Sequence, residues 1–584
     1  MWRLPLGLSI GLALSAAASS AATDGAAAAS SAATDGAAAA SSAATDGAAA
    51  ASSAATDGAA ASSRRNIILI LTDDQDIELG GMTPMQKTQK AFENGVKFDH
   101  FYVNTPICCP SRMQLLSGRY GHNIRDARLD PFPDGAATCG DEPVESPRVG
   151  SCGCMRMDCS RAFEEATYAT ALQRSGYATA YVGKYLNPPA MVRYCRNETL
   201  GPLDHGWPPG WDAFFGMCDQ ASTPQGAYYS VNWVDSAAGA VVFTGSEPAD
   251  YTTSIVGNRS VAYLKLAPKD RPFFLAAAVR APHAPQLPPP WYASAFPDAR
   301  VPREGAYNAT PTGKPYWMSR NPPLSDEDAA EFDAVYADRW RALLAVDDLV
   351  AGVFDELRAS SLIDDTYVFY TSDHGYHMGH FRLPPLKMHK YEFDIRVPLL
   401  ATGPGLAPAS RREIAGFVDL APTFLAIAGA AAADGAMDGT SLLPLLEDDD
   451  DVEWREEMLV EYAPITNWLD GAHRRVDDAP DNNFRALRIV SERENALYAE
   501  TTSLVDYDFQ HPDEFFIEYY DLRHNYDPHQ LHNLADKTSP GHLADLRSRL
   551  RAGSGSCGDD AASRRRGSSC RVPGPRGRPR RRRP

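Results

Sequence analysis

The first strongly patterned stretch of the chain is Asn66 to Leu71, an unbroken apolar, β-prone run followed closely by the acids Asp73 and Asp74. Unbroken rather than alternating runs suit strands buried on both faces of a parallel sheet. Similar runs recur at Ala178 to Val182, Phe273 to Val279, Thr366 to Tyr370 and Val397 to Ala401, separated by stretches of helical character such as Asp326 to Leu357. Strands alternating with helices predict an α/β fold with a large, mostly parallel central sheet flanked by helices. Beyond about Asp448 the runs shorten to Met458 to Tyr462, Ala486 to Ser491 and Phe515 to Leu522, which predicts a smaller C-terminal α+β subdomain. The expected division is 64–447 for the large domain, 448–550 for the small one and 551–584 for a disordered tail rich in Gly, Ser, Arg and Pro.

The start of the chain has a different grammar. Residues 1–20 combine a charged Met1-Trp2-Arg3, an apolar stretch from Leu4 to Leu14 and small residues, which reads as a signal peptide. The apolar stretch is shorter than the roughly 20 residues of a spanning helix, so no transmembrane segment is expected after its removal. Residues 21–63 repeat Ala-Ala-Thr-Asp-Gly-Ala-Ala-Ala-Ala-Ser-Ser four times, the last copy one alanine short, and hold nothing large enough to pack. They read as a linker that simple repeat expansion explains without a function.

Export changes the meaning of the ten cysteines, which are then expected to pair. Cys139, Cys152, Cys154 and Cys159 cluster in one Gly/Pro-rich stretch, and without matched C-x-x-C knuckles disulfides are preferred there over zinc. Asn197, Asn258 and Asn308 head N-x-S/T triplets that could carry glycans. The net charge of −19 argues against nucleic acid as a partner, while ten arginines between Arg564 and Arg583 make the tail a separate, basic object. The expected destination is the secretory pathway, leading to the extracellular space, the cell wall or periplasmic space, or the lysosome.

Three apolar runs end in candidate chemistry, at Asp73-Asp74, Lys184 and Asp373-His374. Sites in α/β sheets collect beyond the carboxyl ends of strands. Cys108 lies in TPICCPSRMQLLSGRYGH, where a proline-broken turn is expected to lead into a helix from Ser111 to Leu116, a setting suited to an anion and a nucleophile. On chemistry alone Cys108 fits a disulfide partner, a thiol nucleophile or a metal ligand. Asp73-Asp74 equally fits a helix cap, although the further acid Asp373 after another strand weighs against that.

The segment Cys108-Cys109-Pro110-Ser111-Arg112, followed by Leu116-Ser117-Gly118-Arg119, resembles the C-x-P-S-R signature of type I sulfatases of the alkaline phosphatase superfamily. ILTDDQDIELG, VGKYLN, APHAP, SDHGYHMG, YEFDIRVP and VDLAPTFLAIAG follow that family's order, and the resemblance runs from about Asn66 to about Asp536. It implies an alkaline phosphatase-like sheet and hydrolysis of sulfate monoesters. It also implies that a formylglycine-generating enzyme converts Cys108 to formylglycine, whose hydrate supplies one hydroxyl to attack sulfur and another to expel sulfate. One divalent cation, calcium rather than magnesium, is implied at Asp73, Asp74, Cys108, Asp373 and His374, because hard oxygen donors suit it. Arg112, Lys184 and Lys387 are implied to hold the nucleophile and sulfate oxygens, and His283 to contact sulfate or protonate the leaving oxygen.

There is one departure from the pattern. Many arylsulfatases carry histidine two places after the lysine of their GKW motif, whereas Lys184 is followed by Tyr185, Leu186 and Asn187. The base that removes the hydrate proton is therefore open, and His122 is the candidate. The form of these motifs is most similar to N-acetylglucosamine-6-sulfatases and extracellular heparan-sulfate endosulfatases, which implies a sulfated sugar or glycosaminoglycan-like substrate. Competing expectations are a broad arylsulfatase, a phosphomonoester or phosphonate hydrolase of the same superfamily, and an inactive carbohydrate-binding homologue. The Cys139 to Cys159 insert is where substrate selection is expected.

Overall fold

Strands that are apolar on both faces need a helical layer on each side. In the computed structural model, the runs around Asn66, Ala178, Phe273 and Thr366 have both. The structure describes residues 64–124, 161–187, 191–195, 206–218, 226–432, 437–448, 452–464, 475–479, 481–502, 509, 514–523 and 526–553. The expected signal peptide, the repeat linker, the Cys139 to Cys159 insert, Asn197 and the arginine-rich stretch of the tail lie outside the described residues.

Among the described residues, ten strands form one sheet in the order Ala409–Arg411, Val96–Phe98, Leu399–Thr402, Thr366–Ser372, Asn66–Thr72, Phe273–Ala278, Ala178–Gly183, Ala213–Met217, Asn232–Asp235 and Ala240–Phe243. The run from Thr366–Ser372 to Ala213–Met217 is parallel, and antiparallel neighbours close it on both sides. Ile67, Leu69 and Leu71 face a core shared with the helices Cys108–Ser117 and Leu420–Ala428. Ile68 and Ile70 face a second core with the helices Thr252–Leu266 and Asp326–Ala359. The last of these starts where expected because Ser325 and Asp328 cap it reciprocally. Thr72 pairs with Ser372, and Leu71 and Gly183 both pair with Ala278, so four strands end level with one another. No helix among the described residues is long and apolar enough to cross a membrane.

The C-terminal region is a four-stranded antiparallel sheet of Glu457–Tyr462, Asn483–Val490, Asn495–Thr502 and Phe516–Asp521. The helix Pro540–Gly553 follows it, so ordered structure continues past the expected boundary at 550. The strand Asn495–Thr502 escapes a search for apolar runs because its buried Glu500 is accommodated by charge: Arg485 and Arg547 both donate to it.

Lys314 ties this sheet to the loop residues Phe381 and Tyr391 of the large domain. Its buried Nζ donates to Tyr520 Oη at 2.7 Å and to the Gln530 carbonyl at 2.6 Å, and lies 4.1 Å from the ring centroids of Phe381, Tyr391 and Tyr520. Burial pushes its ammonium group down to about 7, with Glu518 pulling the other way. An unfolded lysine holds its proton to a pKa near 10.4. Folding therefore expels a proton between these values, and stability contributed at Lys314 rises with pH across that window, by at most about 1.4 kcal/mol per pH unit. The difference in urea midpoint between wild type and Lys314→Met is expected to shift toward wild type from pH 6.5 to pH 9; a pH-independent difference contradicts this.

Candidate active site

Asp73 and Asp74 follow Asn66–Thr72, Lys184 follows Ala178–Gly183, His283 lies in the loop after Phe273–Ala278, and Asp373 and His374 follow Thr366–Ser372. The level strand ends bring these side chains to one edge of the sheet. Gly183 permits the closest approach: it has φ +116°, and a Cβ there would sit 1.8 Å from the Ala278 carbonyl oxygen. Lys184 N then donates to that oxygen at 2.8 Å. Asp74 adopts φ +67° despite its side chain. Asp373 Oδ1 accepts from Asp74 N at 3.1 Å, and Arg339 Nη2 donates to Asp74 O at 2.7 Å and to Asp76 Oδ2 at 2.6 Å, which holds that conformation.

The helix behind the nucleophile candidate begins at Cys108, not at the expected Ser111. Pro110 falls in its first turn, where backbone N–H groups have no helical partner and a proline costs little. Cys108 thus sits at the positive end of a buried helix. It is the free cysteine among the described residues, whereas Cys109 beside it is disulfide-bonded and Cys195 pairs with Cys218.

Cys108 Sγ lies 3.4 Å from Asp73 Oδ1 and 3.2 Å from His374 Nε2. Arg112 Nε donates to Asp373 Oδ2 at 2.8 Å and its Nη1 to the Lys184 carbonyl at 2.6 Å. Lys184 Nζ pairs with Asp73 Oδ2, and Lys387 Nζ donates to Asp74 Oδ1 at 2.7 Å. His374 Nε2 is 3.3 Å from Asp74 Oδ1 and 3.5 Å from Asp373 Oδ1. All of these side chains are buried.

Burial alone would raise Asp73, yet Lys184, His283, Arg112 and Lys387 hold it well below the usual carboxylate range. Asp74 is lowered in the same way, with burial opposed by His283 and Lys387. Asp373 is raised, first by burial and then by the neighbouring Asp73 charge. Burial would lower His374, but Asp373, Cys108 and Asp74 carry it up to about 9. His283 goes the other way: burial holds it well below its ordinary value despite Asp74. Its Nδ1 is 3.1 Å from Arg280 Nη2 and 2.8 Å from the Ala284 carbonyl.

The structure therefore brings together Asp73, Asp74, Cys108, Arg112, Lys184, Asp373, His374 and Lys387, with His283 acting on the two adjacent aspartates electrostatically. His122 has a carboxylate partner of its own. That ring stands on the turn Gly121–Asn123, where its Nδ1 lies 3.0 Å from Glu461 Oε2, and a carboxylate from a distant strand claims it. Sequence reasoning passed over Arg339. The signal was present: Phe332, Tyr336, Leu343 and Val346 form the apolar stripe of one helix, and an arginine within that stripe needs a buried partner.

Asp73, Asp74, Cys108 and His374 place ligand atoms within 4.8 Å of one another, and the buried Asp74 Oδ2 has no hydrogen-bond partner. Clustered carboxylate oxygens with one oxygen left over fit a divalent cation. The Sulfatase family model matches residues 65–430, more than half of the chain. The chain belongs to the sulfatase family. It is 34% identical over 508 residues to the N-acetylglucosamine-6-sulfatase of Capra hircus, an alignment covering 83% of each protein. A putative extracellular sulfatase of Caenorhabditis elegans is 36% identical over 391 residues, 66% of this chain and 49% of that protein. Among solved structures, one determined with its substrate D-glucosamine-2-N,6-O-disulfate superposes with a TM-score of 0.61 at 19% identity, covering 84% of this chain and 97% of that one.

The protein is accordingly a sulfuric ester hydrolase with an alkaline phosphatase-like fold. In this sulfatase, Gly183→Ala must displace the Ala278 carbonyl and with it Lys184. A loss of stability on the order of 3 kcal/mol and a drop in sulfate ester turnover of more than about tenfold are expected from melting curves and kcat. Gly541→Ala, where nothing lies within 4 Å of the added Cβ, is the neutral control.

Proposed function

We propose that this sulfatase removes sulfate from sulfated sugars of the N-acetylglucosamine 6-sulfate type, within a glycosaminoglycan-like polysaccharide, at the cluster around Cys108. The observation that carries this reading is the position of Cys108. It is a free thiol on a helix start between Asp73 and His374, with Arg112, Lys184 and Lys387 within the same ion-pair cluster. The 34% identity to an N-acetylglucosamine-6-sulfatase along most of both chains supports the substrate class.

In this reading a formylglycine-generating enzyme oxidises Cys108, and the aldehyde hydrate supplies one hydroxyl to attack sulfur and a second whose deprotonation releases sulfate. Asp73, Asp74, residue 108, Asp373 and His374 would hold one calcium ion, which would supply positive charge to the nucleophile and the sulfate oxygens. Arg112 fixes Asp373 and the Lys184 carbonyl together, so the carboxylate edge cannot splay as charge builds up. Lys184 and Lys387 are the cations that follow a sulfuryl oxygen through the reaction. His283 exchanges a proton with the leaving oxygen, its ring oriented by Arg280 and the Ala284 carbonyl. With His122 engaged by Glu461, the groups that face residue 108 directly are Asp73 Oδ1 and His374 Nε2, which position it. The charged and apolar pattern of residues 1–20 supports entry into the secretory pathway, in keeping with the extracellular name of the Caenorhabditis elegans relative.

The test is turnover of an aryl sulfate, an aryl phosphate and N-acetylglucosamine 6-sulfate by protein co-expressed with a formylglycine-generating enzyme. Mass spectrometry of the peptide containing residue 108 runs in parallel. Sulfate release is expected to fall by more than about 10³-fold in Cys108→Ala and to be abolished by a calcium chelator, with the sugar sulfate preferred in kcat/KM. Preferential phosphate release, or full activity with unmodified cysteine, overturns the proposal.

A further inference from the structure

A second cluster of buried ligand-type side chains lies outside the constellation used above. His377 Nδ1 lies 2.9 and 3.0 Å from the two carboxylate oxygens of Asp394, and its Nε2 lies 3.0 Å from Asp477 Oδ1. His389 stands beside it with ring centroids 4.9 Å apart, and its Nε2 is 4.0 Å from the same Asp477 oxygen. His377, His389 and Asp394 place ligand atoms within 4.8 Å of one another. The relative exposures are 0% for His377, 2% for His389, 0% for Asp394 and 7% for Asp477, so water does not satisfy these groups from bulk.

Hydrogen bonding explains only half of this cluster. Asp394 is fully used, since it also accepts from His389 N at 2.9 Å. His389 Nε2 and Asp477 Oδ2 are buried and have no partner. Each such orphan costs about 1–3 kcal/mol, and two of them beside the Nε2 of a third ligand-type side chain are better explained by a shared occupant. Asp394 holds His377 Nδ1 as a carboxylate behind a ligand imidazole does, and His377 Nε2 and His389 Nε2 both face Asp477 Oδ1, at 3.0 and 4.0 Å. Ligands about 2.0–2.1 Å from a tetrahedral ion lie about 3.4 Å from each other, between the 3.0 and 4.0 Å separations found here.

We propose that His377, His389 and Asp477 form a second metal site, of the zinc class, with Asp394 orienting His377. Two nitrogens and one carboxylate favour a borderline ion over the hard cation assigned to Asp73 and Asp74. The site has a structural task. His377 exchanges backbone hydrogen bonds with Leu386 at 2.9 and 3.1 Å, and Lys387, which grips Asp74, follows directly. His377 and His389 therefore flank the stretch that presents Lys387, and Asp477 comes from the C-terminal part of the chain. An ion there ties the two regions together and holds Lys387 on the catalytic edge.

The test uses full-length protein with Cys108→Ala, which removes the thiol that could capture zinc at the catalytic cluster, after chelator treatment and dialysis into excess calcium. Zinc titration followed by calorimetry, with bound metal counted by elemental analysis, is expected to show one tight equivalent. His389→Gln and Asp477→Asn should weaken it by at least about 100-fold, while Asp74→Asn leaves it unchanged. Cobalt is expected to give a visible absorption band in the parent that zinc displaces, which keeps the proposal testable if a ligand variant fails to fold. Zinc uptake unaltered by His389→Gln, or a parent that takes neither zinc nor cobalt with calcium present, overturns it. Metal stoichiometry is read without any sulfate turnover, so this result is separate from whether the Cys108 reading holds.

Discussion

The structure depends on the mutual neutralisation of Asp73, Asp74 and Asp373 by Arg112, Lys184 and Lys387 at the buried end of the sheet. An unpaired charge in such a place costs several kcal/mol, and removing one partner of a buried pair typically costs about 3–5 kcal/mol. The ion pairs make this concentration of charge tolerable; the apolar layers on both faces of the sheet provide the stability that offsets their desolvation. The charges are also interdependent. Arg112 touches the Asp373 carboxylate and the backbone of Lys184 at once, so strands on opposite sides of Asn66–Thr72 are held through one guanidinium.

Such an edge requires level strands, and that explains the departures from easy backbone geometry. Gly183 is the residue that can sit against Ala278 with positive φ. Asp74 holds a positive φ that a residue with a Cβ adopts only under restraint, and the restraint is Arg339, buried within the apolar stripe of its helix. In that conformation Asp74 Oδ1 meets Lys387 in the cluster, and Asp74 Oδ2 has no hydrogen-bond partner. The clustered ligand atoms and the unpartnered Asp74 Oδ2 fit a divalent cation, as in a preorganised electrostatic site.

Much of this was legible in the sequence because it follows from local pattern. The central strands were visible as unbroken apolar runs, and their last residues pointed to Asp73, Lys184 and Asp373 by position alone. The helix at Cys108 begins three residues before the expected Ser111, because its first turn tolerates Pro110. The strand Asn495–Thr502 was hidden by a buried glutamate whose partners are distant in sequence. The partner of His122 is hidden for a related reason. Histidine chemistry is set by the group facing each ring nitrogen, and Glu461 lies 339 residues further on. Composition near His122 contains no trace of it.

The same distinction separates what the catalytic loop shows from what it conceals. Between His374 and Ile395 the chain carries His374 and Lys387 toward the carboxylate edge and His377 and His389 away from it. Neighbours in sequence therefore serve two clusters, and the backbone pairing of His377 with Leu386 keeps them apart. Lys387 belongs to this segment. It lies on a loop, has a flexible side chain, and must hold an ammonium within hydrogen-bond reach of one particular carboxylate oxygen. A side chain of that kind loses its conformational freedom only if the backbone beneath it is fixed from elsewhere. The backbone pairing of His377 with Leu386, directly before Lys387, fixes one side of that backbone, so the order of the loop and the electrostatics of the carboxylate edge belong to one physical problem.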